Sequence, residues 1–271
     1  MSLLKSLGIA LSAFSIIPVP RFEWSQENMR FSICFLPVVG FIVGLLLFAW
    51  GLFCAAMEIG VVLFAAGATL IPLLLTGGIH MDGFCDCIDA LSSRRDREKM
   101  LEILKDPHAG AFAVIYCAVY VLAVFGLYSE LHSGVRSAPL SGTLLSIVCC
   151  GFVLSRALAA LSAVCIPSAT NTGFLASFTK SAHKKAIAIS MSLTALLACA
   201  AMGILSFFSG SLLPSLAAIV CAALAFFLYR HMALKKFGGI TGDTTGYFIQ
   251  VCELAILIGV FSGNLASGFL V

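Results

Sequence analysis

Leu73-Leu74-Leu75-Thr76-Gly77-Gly78-Ile79-His80-Met81-Asp82-Gly83-Phe84-Cys85-Asp86-Cys87-Ile88-Asp89-Ala90 joins an apolar run to an acidic segment with no linker between them. At 100° per residue, Asp82, Asp86 and Asp89 fall within about 60° of one another on a helix, so three carboxylates share one face beside a hydrophobic span. Carboxylates about 6 Å apart repel by roughly 3 kcal/mol per pair at an effective dielectric near 20. A hard divalent cation removes that repulsion; oxygen donors favour magnesium or calcium over zinc, and magnesium shares its remaining positions with water and substrate phosphates. Phosphoryl or pyrophosphate chemistry is the expected use.

Around this segment the chain is that of a membrane protein. It has 271 residues, 61% apolar and 11% charged, with a mean hydropathy of +1.07, outside the range of soluble domains. Runs long enough to cross a bilayer lie near 31–57, 59–78, 109–128, 142–166, 186–208, 212–229 and 246–262. The expected fold class is therefore all-α: a polytopic helical bundle of about seven transmembrane helices in one membrane domain, 1–271. Residues 1–30 form an interfacial N-terminal segment, because 3–17 are too short to cross and Pro18-Val19-Pro20 stops the helix. Residues 79–108 form a catalytic acidic and amphipathic helix pair, and 230–246 a second polar loop.

Fourteen of the sixteen Lys and Arg residues fall in 1–30, 79–108, 167–185 and 230–245, leaving Arg136 and Arg156. Basic residues collect in short cytoplasmic loops, so the N-terminus and the acidic segment are expected on the cytoplasmic face of the inner membrane. The eleven cysteines read as small core hydrophobes, most of them single within apolar runs.

Other positions carry local signals. Gly40 and Gly44 have the small-x-x-x-small spacing of close helix packing. Ser93 with Asp96 has the spacing of a capping box for a helix running to Lys105, and Asp106 beyond it is a further candidate metal ligand. Gly238-Gly239-Ile240-Thr241-Gly242-Asp243-Thr244-Thr245-Gly246 reads either as a phosphate cradle at a helix N-terminus or as a helix cap. Arg156 and Glu253 lie within spans, where ionisable groups are functional or paired with each other, leaving an anion-binding Arg156 and an ion pair both open.

His80-x-Asp82-Gly83-x-x-Asp86-x-x-Asp89, then Lys105-Asp106-x-x-x-Gly110 and Gly239-x-Thr241-Gly242-Asp243-Thr244, together resemble cobalamin synthase, the adenosylcobinamide-GDP ribazoletransferase family. The resemblance extends through Pro18-Val19-Pro20-Arg21, Pro37-x-x-Gly40, Leu154-Ser155-Arg156 and Glu253. The chain departs from the family pattern in Ser15-Ile16-Ile17, where a Thr-Arg pair is expected. The resemblance implies that the 3′-hydroxyl of α-ribazole, or of its 5′-phosphate, attacks adenosylcobinamide-GDP with magnesium as cofactor, expelling GMP. Asp82, Asp86, Asp89 and Asp106 are then the expected metal ligands, with Asp243 completing the shell or positioning the nucleophile. His80 either takes the hydroxyl's proton or only hydrogen-bonds a carboxylate or phosphate. Lys105, Arg94, Arg95, Arg156, Gly239, Thr241, Gly242 and Thr244 are candidates for binding phosphate. The expected partners are the two substrates and the bilayer, with no nucleic acid, and with self-association or association with other cobalamin-assembly enzymes. A cation- or proton-coupled transporter is the competing class; it lacks support from a second acidic stripe in the C-terminal half.

Overall fold

The computed structural model describes residues 2–135, 140–170, 173–180 and 182–269. Arg136, Asn171 and Thr172 lie outside these residues. The order of elements is α1 (Ser2–Phe14), α2 (Gln26–Met29), α3 (Leu36–Ala56), α4 (Val61–Leu75), α5 (Ile79–Ser92), α6 (Arg97–Ile103), α7 (Ala111–Val135), α8 (Leu140–Cys165), α9 (Phe174–Lys180), α10 (Lys184–Phe208), α11 (Leu213–Met232) and α12 (Gly242–Phe269). The described residues form an all-helical bundle whose only sheet-like pairing is an isolated bridge between Ser168 and Ile240.

Six helices are long and apolar enough to cross a membrane, or seven if α4 and α5 count as one broken span. α4 has 15 residues, about 22 Å at 1.5 Å per residue, and falls short of a full hydrocarbon core. The chain then turns by 90° into α5. The Gly78 N–H donates to the Leu73 carbonyl at 2.9 Å and the Gly77 N–H to that of Leu74 at 3.1 Å. Both glycines have positive φ, +62° at Gly77 and +78° at Gly78, so this is a left-handed helix stop of a kind that residues with a Cβ resist. The stretch before Pro18 seals the break, with the Ile16 N–H donating to the Leu75 carbonyl at 2.9 Å.

Glycines set the closest helix contacts. A Cβ at Gly44 would lie 2.8 Å from the Cys149 carbonyl oxygen, and one at Gly40 would strike the Phe152 carbonyl, so the expected small-residue face is where α3 meets α8. Gly259 and Gly263 do the same for α12 against α11. Arg156 of α8 and Glu253 of α12 form a buried ion pair inside the bundle, the second of the two roles open for them. Arg156 is fully buried, and its Nη1 also donates to the Phe152 carbonyl and Ser155 Oγ, each at 3.2 Å.

The amphipathic α6 starts later than Ser93 predicts. Its cap is Asp96, whose extended backbone (ψ 170°) lets the carboxylate accept the Lys99 N–H at 3.0 Å. Ser93 instead ends α5, donating from Oγ to the Ala90 carbonyl at 2.6 Å. α6 docks through Met100 and Leu104 on Cys87 and Ala90 of α5 and on Phe237, in the π-helical turn that follows α11. That cluster ties the acidic segment to the second polar loop.

Candidate active site

The acidic helix is amphipathic: His80, Gly83, Phe84, Cys87 and Ala90 are its buried positions, spaced three and four apart, and the aspartates point elsewhere. Its buried face packs on α12 and α7. Gly83 makes the close approach possible, since a Cβ there would lie 2.7 Å from the Asp243 carbonyl oxygen and 2.9 Å from its Cα. Gly246 repeats this on the other side, with a Cβ 3.2 Å from the His80 carbonyl oxygen. Phe84 stacks on Tyr247 with ring centroids 5.7 Å apart.

This contact brings the two polar segments of the sequence together. His80 and Asp82 from α5 line the same 240 Å³ cavity as Gly242, Asp243, Thr245 and Gly246 from α12. Phe14, Phe174 and a small-residue stretch of α8 close it. His80 is 3% exposed, and its Nε2 has no hydrogen-bond partner among the described residues. Burial, and then the Arg156 charge, hold the imidazole well below its usual pKa.

Asp86 is half-buried, and burial, then the charges of Asp82, Asp243 and Asp89, push its carboxyl up to about 7. Four acidic groups thus act on one another with no basic residue among the causes of the shift. Among the described residues, no three His, Cys, Asp or Glu side chains converge as a complete metal nest. Magnesium needs none: it is commonly held by one or two carboxylates, with water and substrate phosphates filling the rest. The donor chemistry of Asp82, Asp86 and Asp243 fits it.

The structure gives Asp89 a different task from its neighbours. Its two carboxylate oxygens accept the N–H groups of Gly110 at 2.6 Å and Ala113 at 2.9 Å, holding the start of α7. Gly110 is glycine for the same reason, because a Cβ would sit 2.7 Å from Asp89 Oδ1. Asp106 is not brought to the cluster. It is exposed beyond the end of α6 and accepts the His108 N–H at 3.0 Å and Nδ1–H at 2.8 Å.

Most of the expected phosphate cradle is spent on its own turn. The Gly239 N–H donates to the Ala233 carbonyl at 3.1 Å and the Ile240 N–H to that of Pro167 at 2.9 Å. Thr241 and Thr244 cap each other: the Thr244 N–H donates to Thr241 Oγ1 at 3.1 Å, and the Thr241 N–H to Thr244 Oγ1 at 2.8 Å. A Cβ at Gly239 would meet the backbone of 167–169, so that glycine serves close chain packing. Only Gly242 of the four lines the cavity. Arg94, Arg95 and Lys105 are exposed, and none of them, nor the buried, ion-paired Arg156, borders the cavity.

Phe14 and Phe174, not anticipated from sequence, also line the site, together with Thr245 and Gly246 of the second polar segment. Gly242-x-x-x-Gly246 carried a readable small-residue signal; Phe14 and Phe174 carried none, since only tertiary packing brings them here. Arg97 was equally silent, and its guanidinium packs directly on Gly238.

A bundle of membrane-crossing helices, with a largely apolar cavity bordered by two carboxylates between a broken span and the start of its last helix, defines a multi-pass membrane protein. The family model described as cobalamin-5-phosphate synthase matches residues 6–261, and the chain belongs to that family. An adenosylcobinamide-GDP ribazoletransferase of Lachnoclostridium phytofermentans is 42% identical over 258 residues, spanning 94% of this chain and 92% of its own. Proteins of the same name from Clostridium botulinum and Escherichia coli are 32% and 30% identical, covering 97% and 94% of this chain and nearly all of theirs. No solved structure matches.

Proposed function

We propose that this chain is a membrane transferase that joins adenosylcobinamide-GDP to α-ribazole, or to its 5′-phosphate, at the cavity between α5 and α12. The carrying observation is that the two family-like polar motifs, separated by some 150 residues of apolar chain, line one cavity through His80, Asp82, Gly242 and Asp243. The family match leaves the transporter reading without support.

In the reaction the ribose 3′-oxygen forms a bond to the cobinamide-bearing phosphorus. The bond from that phosphorus to the bridging oxygen breaks, GMP leaves with that oxygen, and the hydroxyl proton is released. Asp82 and Asp243 border the cavity and orient the attacking hydroxyl, and one of their carboxylate oxygens receives its proton. Asp82, with Asp86 or Asp243, would hold magnesium, which when bound would offset the charge of the diphosphate and of the leaving GMP. Asp89 keeps α5 against α7, and the mutual caps at Thr241 and Thr244 keep Gly242 and Asp243 at the cavity wall. The bundle's apolar helices keep the site at a membrane, and the distribution of basic residues supports a cytoplasmic-facing site in the inner membrane.

Purified protein with magnesium is expected to release GMP from adenosylcobinamide-GDP only when α-ribazole is present. A chelator should stop turnover, and Asp82→Asn should abolish it without unfolding the protein. Absence of GMP release from intact, folded protein with both substrates and magnesium refutes the proposal. A reporter fused after residue 100 tests the orientation, and exposure of Arg97 on the outer face refutes it.

A further inference from the structure

The cavity is too small for the whole of the corrinoid substrate. Its 240 Å³ lies below the roughly 300–1,000 Å³ that encloses a drug-sized ligand. It therefore receives one part of a substrate, and its walls say which part. The lining is mostly hydrocarbon and ring: Ile33, Leu36, Ala160, Ile249, Phe14 and Phe174. Phe14 lies near-parallel to His80 with centroids 6.4 Å apart and meets Phe174 edge-on at 5.8 Å. These rings already contact one another, and a flat ring beside them in the cavity finds aromatic partners on its wall. At one edge is His80, whose buried Nε2 has no partner among the described residues, and an unmade bond there is a standing penalty.

We propose that this cavity seats the base of the nucleophile, an uncharged and largely apolar fused bicycle carried on ribose, and that His80 Nε2 hydrogen-bonds its one free ring nitrogen. The inference rests on the proposed function and adds to it which of the two nucleosides lies here and what reads it. Guanine is the competing occupant. It carries donors and acceptors on both rings, and apart from His80 and Thr245 the polar lining is the Asp82 and Asp243 carboxylates at the reaction centre. The remaining guanine groups would face Ile, Leu and Ala side chains unpaired, which opposes its binding. Seating the base here also directs the attached ribose toward Asp82 and Asp243, where its hydroxyl has to react. His80 is accordingly a substrate-positioning contact.

The test uses the full-length protein in detergent with magnesium, following GMP release while each substrate is varied in turn. Ala160→Leu adds bulk to the buried wall. It should raise KM for α-ribazole at least about tenfold, as an ill-fitting group in an apolar pocket does, while KM for adenosylcobinamide-GDP changes by less than about twofold. The matched riboside of indole keeps the rings and lacks the acceptor nitrogen. With the native protein it should lose at least about tenfold in kcat/KM, whereas in His80→Ala the two ribosides should become equivalent, as a hydrogen bond to that nitrogen requires. A rise in KM for adenosylcobinamide-GDP instead assigns the cavity to guanine and overturns the proposal, as does an unchanged KM for both. Should Ala160→Leu fail to fold, Ala163→Val replaces it under the same expectations. Equilibrium dialysis of α-ribazole against native and Ala160→Leu protein separates the two levels of inference. Loss of nucleoside binding in the variant upholds this cavity assignment even if turnover fails, and equal binding overturns it even if turnover succeeds.

Discussion

Removing the Glu253 carboxylate should destabilise the bundle more than any other single substitution away from the cavity. Arg156 is fully buried, and its side chain already leaves Nε and Nη2 without partners among the described residues. Nη1 alone carries the polar contacts, to Glu253, the Phe152 carbonyl and Ser155 Oγ. In Glu253→Leu the guanidinium stays buried with no counter-charge, a change that costs about 3–5 kcal/mol. That is roughly a 10²- to 10⁴-fold shift toward unfolded protein. Arg156→Met with Glu253→Leu removes both charges and should return to within about 1 kcal/mol of the parent, because a buried pair is often no more stable than an apolar replacement of similar volume. The assay is unfolding in mixed detergent micelles, followed by circular dichroism for the parent, both single variants and the double. A double variant as unstable as Glu253→Leu refutes the reasoning. So does a double variant that folds normally yet no longer releases GMP, because Arg156 would then contact a substrate.

Four further outcomes test the site and its supports. Gly83→Ala should cut kcat/KM about 100-fold, the scale of a misplacement near 1 Å, because its Cβ meets Asp243 backbone at 2.7 and 2.9 Å; steady-state GMP release measures it. Asp89→Ala should lower the unfolding free energy by about 3 kcal/mol, for two hydrogen bonds to a charged acceptor. The same variant should move the half-saturating magnesium concentration less than about twofold, whereas Asp86→Ala should raise it at least about tenfold; a magnesium titration separates them. Thr244→Val leaves the buried Thr241 N–H without its 2.8 Å partner and should cost about 1–3 kcal/mol in the same unfolding assay.

The membrane-spanning organisation was legible because an apolar run of span length has little use outside a bilayer, and the Gly40 and Gly44 contact because backbone approach requires missing side chains. The partners of individual carboxylates were not legible. Asp82, Asp86 and Asp89 share a face and a spacing, yet Asp89 is drawn off by the N–H groups of Gly110 and Ala113, more than twenty positions away. Asp106 looks equally suitable in sequence, but a local bond pattern with His108 satisfies it at the surface. Thr241 and Thr244 fit a phosphate cradle and a helix cap alike; which one forms depends on where the neighbouring N–H groups donate, and they donate to protein. The start of α6 went to Asp96 over Ser93 because a cap needs an extended backbone as well as an oxygen, and only the first of these is invisible in composition.

The short fourth helix is what makes room for the acidic stripe. Backbone groups at membrane depth need internal partners, and a helix that stops after 15 residues strands its last carbonyls. Those of Leu73, Leu74 and Leu75 are taken by the N–H groups of Gly78, Gly77 and Ile16. With the ends satisfied, the chain can turn by 90° and continue as a polar helix in place of the missing length of span. The turn sets that helix against the first residues of α12, whose N-terminal dipole favours negative charge. The dipole alone does not suffice, since the Asp86 carboxyl is still pushed up to about 7 in part by its acidic neighbours. The break in the span therefore supplies the place for the carboxylates, and the charge left over is what a cation, as proposed above, would offset.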